Sequence, residues 1–512
     1  MIVELIHALK EAEKDPGAER HVLSLIGDLR SMNQEQYPGL IRELLTFAQA
    51  SNSDRWASLI SLVLSGLPLE SKQWVPDDSV EALVQLYQTC PDDSILRSHL
   101  LCLIGSSNRD NAQKTWVDLL CNSPPQNNEN IQLAFAPFID HQDRFIDERL
   151  LQILIDRATH HLTIAASIYE LCNHEFRKGR NRPHLLQARS RDLVELLGNL
   201  IFQLGRIEEG HLPPETNPQE IASIVQNSVA LIIALIDAVS LLQEEQAIGK
   251  LYQAIELKHR RIQVEAAAGL ARIGEESGQD KLVDLAQHPV VRPRVIAYAR
   301  ELGFENKISL EFQGPIAEAE SSLALWLGSP QQMGLAPTSI ELVDERTLYW
   351  PSYEDPIHCF LFQFEYGAGD QAFKNIGING PLTHAFTSDI RHLSAVDQYS
   401  AFAGWQTMSD EIYTIPIDRA ERLIPNDFMR LRNNLDAEDL DSFELQTIAS
   451  FFGEYAMVVS ASKEEQPGTM IVDINQSEWI PEGNSQSAID WTLAFDIWKG
   501  RKLLTNFNPA FS

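Results

Sequence analysis

Three histidines, His358, His384 and His392, share a short stretch of sequence with Glu354, Asp355 and Asp389. Imidazoles and carboxylates together can hold a divalent ion or pass a proton, but only where three or four ligands converge within about 2.0–2.4 Å. The spacing here does not favour a metal, since HxH, HExxH and HxxxH are all absent from the stretch. His358 and Cys359 are adjacent, so in a strand they point to opposite faces and cannot chelate together. Glu170 and His174 lie four apart, which on a helix is an ordinary side-chain pair. Neither GxSxG nor a Walker loop occurs. Asn375–Pro381 (NIGINGP) holds Gly377 and Gly380 and would offer backbone N–H groups to an anion, but a tight turn accounts for both glycines. Asp436–Asp441 (DAEDLD) lacks the glycine and terminal glutamate of a calcium loop and reads as a helix N-terminus. The expectation is therefore no catalytic residue, no metal and no cofactor.

The aromatic residues are more suggestive. Tyr349, Trp350, Tyr353, Phe402 and Trp405 cluster near the same histidines, and Trp350 and Tyr353 sit in the loop-like WPSYEDP. Trp and Tyr dominate binding hot spots because they bury large areas at low entropy cost. Trp350, Tyr353, His358, His384 and Trp405 are the candidate binding residues. The competing reading makes the rings the core of a small domain.

Those residues sit in an acidic chain. Its 512 residues carry 72 Asp and Glu against 41 Lys and Arg, a net charge of -31. Such a chain repels phosphate backbones and anionic membranes and suits a basic protein partner. The excess is uneven, with 31 acidic and 12 basic residues from Phe304 onward. Five cysteines without a CxxC suit a reducing compartment, and a cytoplasmic location is expected. The N-terminus turns charged too early for a signal peptide. The most apolar run, Val229–Val239, is about half a bilayer span and contains Asp237, so no membrane span is expected.

Two segments in the middle of the chain repeat. EAAAGLARIG (Glu265–Gly274) and RVIAYARELG (Arg294–Gly303) align without a gap, each closed by a glycine suited to a left-handed cap. Small residues, Ala268 and Ala297, fall at matching positions, and DKLVDLAQH (Asp280–His288) forms a helix between them. Two short helices cannot bury both apolar stripes alone, so such units must stack on neighbours. Arg261–Gly303 resembles the HEAT-like repeats of phycocyanobilin-lyase-type proteins and many bacterial scaffolds. The resemblance implies core positions at Val264, Ala267, Ala268, Leu270, Ala271 and Ile273, with Arg261 and Arg294 outside. Apolar helical segments recur upstream near 19–30, 39–50, 54–66, 78–89, 94–105, 110–121, 129–139, 145–158, 161–177, 186–205 and 219–242. Pro91, Pro124–Pro125 and Pro213–Pro214 fall in the breaks.

After Gly303 the texture changes. Residues 304–315 read as a linker and Ile316–Gly328 as a helix. Strands are expected at 339–350, 358–366, 411–417, 455–462 and 469–474, and helices at 396–408, 419–433, 439–452 and 487–499. Pro467–Gly468 reads as a turn. LYWPSYEDP, NIGINGPLTHAF and YSAFAGWQ resemble the C-terminal part of uncharacterised bacterial HEAT-repeat proteins, a likeness that implies no activity.

The expected fold class is mostly α: an irregular HEAT-like α-α superhelix at 1–303, then a smaller α+β domain at 316–512. The expected function is a protein–protein interaction scaffold or adaptor with a protein partner, and no nucleic acid or membrane. Two alternatives stand beside it. One is an enzyme housed in the C-terminal domain, which needs His358, His384 and acidic groups to converge. The other is a chromophore-lyase-like accessory protein, which follows from the repeat resemblance alone and needs a chromophore-sized cleft.

Overall fold

The structure is a computed structural model of the whole chain. It describes all residues except 30–35, 54, 68–78, 108–110, 127–129, 141–143, 212–216, 369–370, 484–488, 510 and 512. Pro213–Pro214 and the outermost residues of several expected helices (30, 54, 78, 110, 129, 487 and 488) therefore lie outside the described residues. The chain forms two compact units, Met1–Leu282 and Val283–Ser512, divided earlier than the expected boundary at 303. The whole is mostly α with a C-terminal α+β region, as the residue pattern implied.

Unit 1 is helical throughout its described residues. Its helices are α1 (Ile2–Lys14), α2 (Glu19–Leu29), α3 (Tyr37–Ala50), α4 (Arg55–Ser65), α5 (Val80–Thr89), α6 (Leu96–Ser106), α7 (Ala112–Asn122) and α8 (Ile131–Ile139). They continue with α9 (Glu148–Ala158), α10 (Leu162–Arg177), α11 (Ser190–Glu208), α12 (Pro218–Leu241), α13 (Ile248–Ile255), α14 (Arg260–Ile273) and α15 (Glu276–Leu285), inside which the division falls. Alternate helices are neighbours: α4 packs on α6, α6 on α8, α8 on α10, α10 on α12 and α12 on α14. Helix α6, between α4 and α8, is buried along its length, Arg97 included. The Arg97 guanidinium donates to the Cys90 and Ser123 carbonyls, closing the end of α5 and the turn after α7. Gln263 does the same for the Leu257 carbonyl.

Gly274 adopts φ 101° and closes α14 as expected. Its N–H donates to the Ala271 carbonyl and that of Glu275 to Leu270, the bond pattern of a left-handed helix cap. Val264, Ala267, Ala268 and Leu270 are buried, Ala271 and Ile273 are only half-buried, and Arg261 and Arg294 are exposed. Ala297 departs from expectation: it faces solvent, and Ala299 takes the packing position. Helix α12 is longer than its apolar run and, over Glu220–Leu241, long and apolar enough to cross a membrane by length and composition. Half of that stretch is buried inside unit 1, against α10, α11 and α14. Its Asp237 is paired with Arg177 and Arg272.

Unit 2 begins with α16 (Arg292–Glu301) and α17 (Pro315–Leu327). The expected linker between them folds as two 3-10 turns, Glu305–Lys307 and Leu310–Phe312, with Phe304 and Ile308 buried. Then come β1 (Ser339–Leu348), β2 (Ile357–Ala368), β3 (Gln371–Asn379), β4 (His384–Ala385) and α18 (Ala395–Gln406). The remainder is β5 (Ile412–Ile415), α19 (Ile417–Leu423), α20 (Pro425–Asp436), β6 (Ser442–Phe451), β7 (Glu454–Lys463), β8 (Gln466–Val472), β9 (Ser477–Pro481) and α21 (Trp491–Phe507). Strands β1–β4 form one antiparallel sheet in chain order and β5–β9 a second. Helices α18 and α21 lie between the sheets in one core with Leu361, Ile378, Val458 and Ile471. Helix α17 covers the outer face of the first sheet, on Phe360, Phe362 and Phe364. Helices α19 and α20 cover the outer face of the second, on Met457 and Val459.

Four local expectations are corrected. The helix expected at 439–452 is strand β6, buried from Thr447 to Phe451, where the polar Thr447 and Ser450 are covered together with Ile448, Ala449 and Phe451. The helix expected at 419–433 is broken at Pro425, which starts α20. Pro467–Gly468 lies within β8, and the hairpin turn is Glu464–Glu465, with φ 53° and 63°. Asp436–Asp441 follows the end of α20 rather than opening a helix.

The two sheets are copies of one plan. The β1–β2 ladder runs Leu342↔Phe362, a bulge, then Asp344↔Leu361; the β6–β7 ladder runs Leu445↔Val459, a bulge, then Thr447↔Val458. Continuing across each sheet gives Leu361↔Ile378↔His384 in the first and Val458↔Ile471↔Glu478 in the second. The following helices also match. Ser394 and Asp490 each cap their helix through a side-chain oxygen. A Cβ on Gly404 would overlap the Asp496 carbonyl, and one on Gly500 would overlap the Ser400 carbonyl. Both pairs, 404/500 and 400/496, are separated by the same 96 positions, so α18 and α21 cross about a pseudo-twofold axis, backbone on backbone.

Candidate functional site

The duplication makes His384 and Trp405 readable. By the matched rows above, His384 corresponds to Glu478, and by the matched helices Trp405 corresponds to Arg501. In the second copy these positions form an ion pair, Arg501 Nη1 to Glu478 Oε2 at 2.7 Å, with Arg501 Nε also on Asp397 at 2.6 Å. The first copy has a ring stack instead: His384 lies parallel to Trp405 at 3.9 Å between centroids and 12° between planes. Trp326 and Phe386 approach His384 edge-on at 5.6 and 5.1 Å, and Phe402 stacks on Phe386 at 4.7 Å. The elements supplying these rings are α17, β4 with the segment after it, and α18.

The electrostatics follow from that company. Burial among the rings pushes the His384 imidazole from its ordinary 6.5 down to about 4, so it is neutral at pH 7. Trp405 is 45% exposed, and Met408, just past the end of α18, is 94% exposed. A neutral imidazole behind a half-covered indole gives an apolar platform with a polar edge, the composition of a binding hot spot. No carboxylate contributes to the His384 shift, so no acid–base pair is assembled there.

The other candidates scatter around this stack. Trp350 is core: it is 2% exposed and its indole N–H donates to Gln406 Oε1 at 2.7 Å, so the binding role expected for it is corrected. That bond fixes the residue next to Trp405. Tyr353 is exposed along its ring, and its hydroxyl donates to the Pro381 carbonyl at 2.8 Å, holding the turn that leads into β4. His358 sits away from the stack, lying on Phe360 at 4.4 Å with Nε2 3.7 Å from Glu345. Cys359 is buried on the opposite face, where burial pushes its thiol up to about 12. His392 approaches the Pro481 carbonyl at 3.4 Å. Among the described residues no three His, Cys, Asp or Glu side chains are grouped as metal ligands.

Asn375–Pro381 divides differently from the expected turn. Asn375–Asn379 is strand, and a Cβ on Gly377 would lie 2.9 Å from a terminal methyl of Leu323 on α17, so the glycine lets that side chain pack close. Only Gly380, at φ 133°, makes the turn. Sequence reasoning also missed Trp326 and Phe386 as walls of the site, although LALWLG and THAF were in view. In unit 1, Glu170 is exposed and His174 half-buried. A cleft of about 330 Å³ lies between α5 and α7, lined by Tyr87, Thr115, Asp118 and Asn122 among others.

No family model matches the chain, and neither a curated protein nor a solved structure matches it.

Proposed function

We propose that the chain is an interaction adaptor that uses the His384–Trp405 stack as a contact point for a protein partner. The observation that carries the reading is the exchange at equivalent positions. One copy neutralises itself with an ion pair, and the other leaves an indole half in solvent, backed by a desolvated imidazole. Such a surface is stabilised by a partner's apolar side chain and gains little from water. The acidic balance of the C-terminal part supports a partner of basic character.

In this reading unit 1 is a HEAT-like α-α solenoid. The packing of alternate helices on one another and the left-handed glycine cap at Gly274 support that assignment. Five buried cysteines, none of them in a disulfide among the described residues, suit work in the cytoplasm. Neither nucleic acid nor a membrane is a partner in this account. The test compares affinity isolation at low salt by the wild-type chain and by Trp405→Ala and His384→Ala. The expected result is a stoichiometric partner retained by the wild type and lost by both variants while their melting temperatures hold. A chain that retains nothing, or retains the same partner without the indole, contradicts the reading.

A further inference from the structure

The duplication exposes a second difference, at the outer edge of the first sheet. In the second copy, β5 pairs with β6 through Ile415↔Ile448 and Tyr413↔Ser450. Helix α19 then follows and packs on β6, and Ile448 and Ser450 are buried. The equivalent residues of β1, by the matched bulges, are Glu345 and Thr347, and both are exposed. Among the described residues, Asn508 supplies the first contact of that series, and Phe511 beyond it lies under the Arg346 guanidinium at 5.7 Å. Asn508 brackets the backbone of Tyr349, accepting from its N–H at 2.8 Å and donating to its carbonyl at 3.0 Å. This mirrors the bond from Phe452 N–H to the Glu411 carbonyl at 3.1 Å that begins the β5–β6 pairing. Alternation along a strand puts the N–H and C=O groups of Thr347 and Glu345 on the same outer edge as those of Tyr349. Among the described residues no backbone bond reaches that edge at either position.

We propose that Glu345–Leu348 is an acceptor edge for an extended basic segment of a partner protein, which adds a strand where β5 sits in the second copy. This rests on the interaction reading above and names how the partner docks. An open edge is a template for strand addition. The rim chooses the occupant by charge. Glu341, Glu345, Glu354 and Asp355 are exposed along and beyond β1, and Arg346, the one basic residue of the strand, is held by Asp344 at 2.8 Å. A second copy of this chain would set acid against acid across the ladder, whereas a lysine-bearing strand would be drawn in. The alternating Ile-Tyr-Thr-Ile of β5 gives the pattern the segment should carry. His358, lying on Phe360 beside Glu345, would meet the partner where Tyr455 meets α19 and α20 in the second copy.

The experiment uses the full chain and a fluorescein-labelled peptide copying residues 409–418 with Asp410→Lys, Glu411→Lys and Asp418→Lys. Anisotropy titration should show saturable binding, tighter than that of a scrambled peptide of the same charge. Thr347→Pro removes an outward N–H while sparing the β1–β2 ladder and should weaken binding at least ten-fold. Glu345→Lys, at an exposed position, should weaken it several-fold and carries the test if the proline unfolds the sheet. Equal binding by wild type, Thr347→Pro and Glu345→Lys, or no preference over the scrambled peptide, overturns the edge proposal. Loss of the native partner on Trp405→Ala would still stand in that case, so the two readings fail separately.

Discussion

The two halves of the α+β unit share a ladder, a bulge and a glycine-to-backbone helix crossing, yet they finish the same corner in opposite ways. In the second half, Arg501 is satisfied by Glu478 and Asp397, and the sheet edge is closed by β5 and α19. In the first half, the matching corner holds a ring stack, and Glu345 and Thr347 at the matching edge are exposed. A duplicated fold thus supplies its own control: what one copy needs for stability is visible in the other, and what differs is free to serve binding. The comparison also explains why Trp350 and Trp405, neighbours through Gln406, have different roles. One anchors the shared core and the other replaces a stabilising pair.

The largest expected effect lies in the shared core. Trp350→Ala should lower stability by about 3–5 kcal/mol, read from the urea midpoint, because it opens a cavity and orphans the Gln406 acceptor. A loss under 1 kcal/mol would return Trp350 to the surface. Gly404→Ala and Gly500→Ala should each cost about 3 kcal/mol or more, since the new methyl meets a carbonyl oxygen. If one is tolerated and the other is not, the pseudo-twofold crossing is wrong. Arg501→Met should cost about 2 kcal/mol, leaving two half-buried carboxylates unpaired.

A smaller effect should appear with pH. His384 is neutral in the folded chain because burial holds its pKa near 4, against 6.5 when exposed. As pH falls below 6.5 the unfolded chain takes the proton first, so stability is lost progressively between 6.5 and 4. Allowing for solvent screening, the loss at pH 5 is about 1 kcal/mol. His384→Asn, which cannot take that proton, should flatten this part of the curve relative to wild type. An unchanged slope would mean that His384 is solvated.

Much of this was legible in the residues, for identifiable reasons. Gly274 was readable because a left-handed cap demands glycine, and Phe360, Phe362 and Phe364 because their alternation marks one face of a strand. Strand β6 was not: Thr447 and Ser450 are buried beside Ile448, Ala449 and Phe451, so polarity there does not mark a solvent face. Gly377 was taken for a turn because glycine serves close packing as well as flexibility, and only the position of Leu323 decides between them. The duplication itself was hidden. Its halves share apolar volume at matched sites, but the telling positions carry unlike residues, His384 against Glu478 and Trp405 against Arg501. The candidate site was half readable: His384 and Trp405 were named, but their stacking required the register of β3 with β4.

The most direct test sets Trp405→Ala beside Arg501→Ala in the full chain, measuring melting temperature and partner retention together. The account predicts that Trp405→Ala keeps its melting temperature within a degree or two and loses the partner, whereas Arg501→Ala melts several degrees earlier. Equal destabilisation by the two, with the partner still held by Trp405→Ala, would make the ring stack a structural substitute for the ion pair and contradict the account.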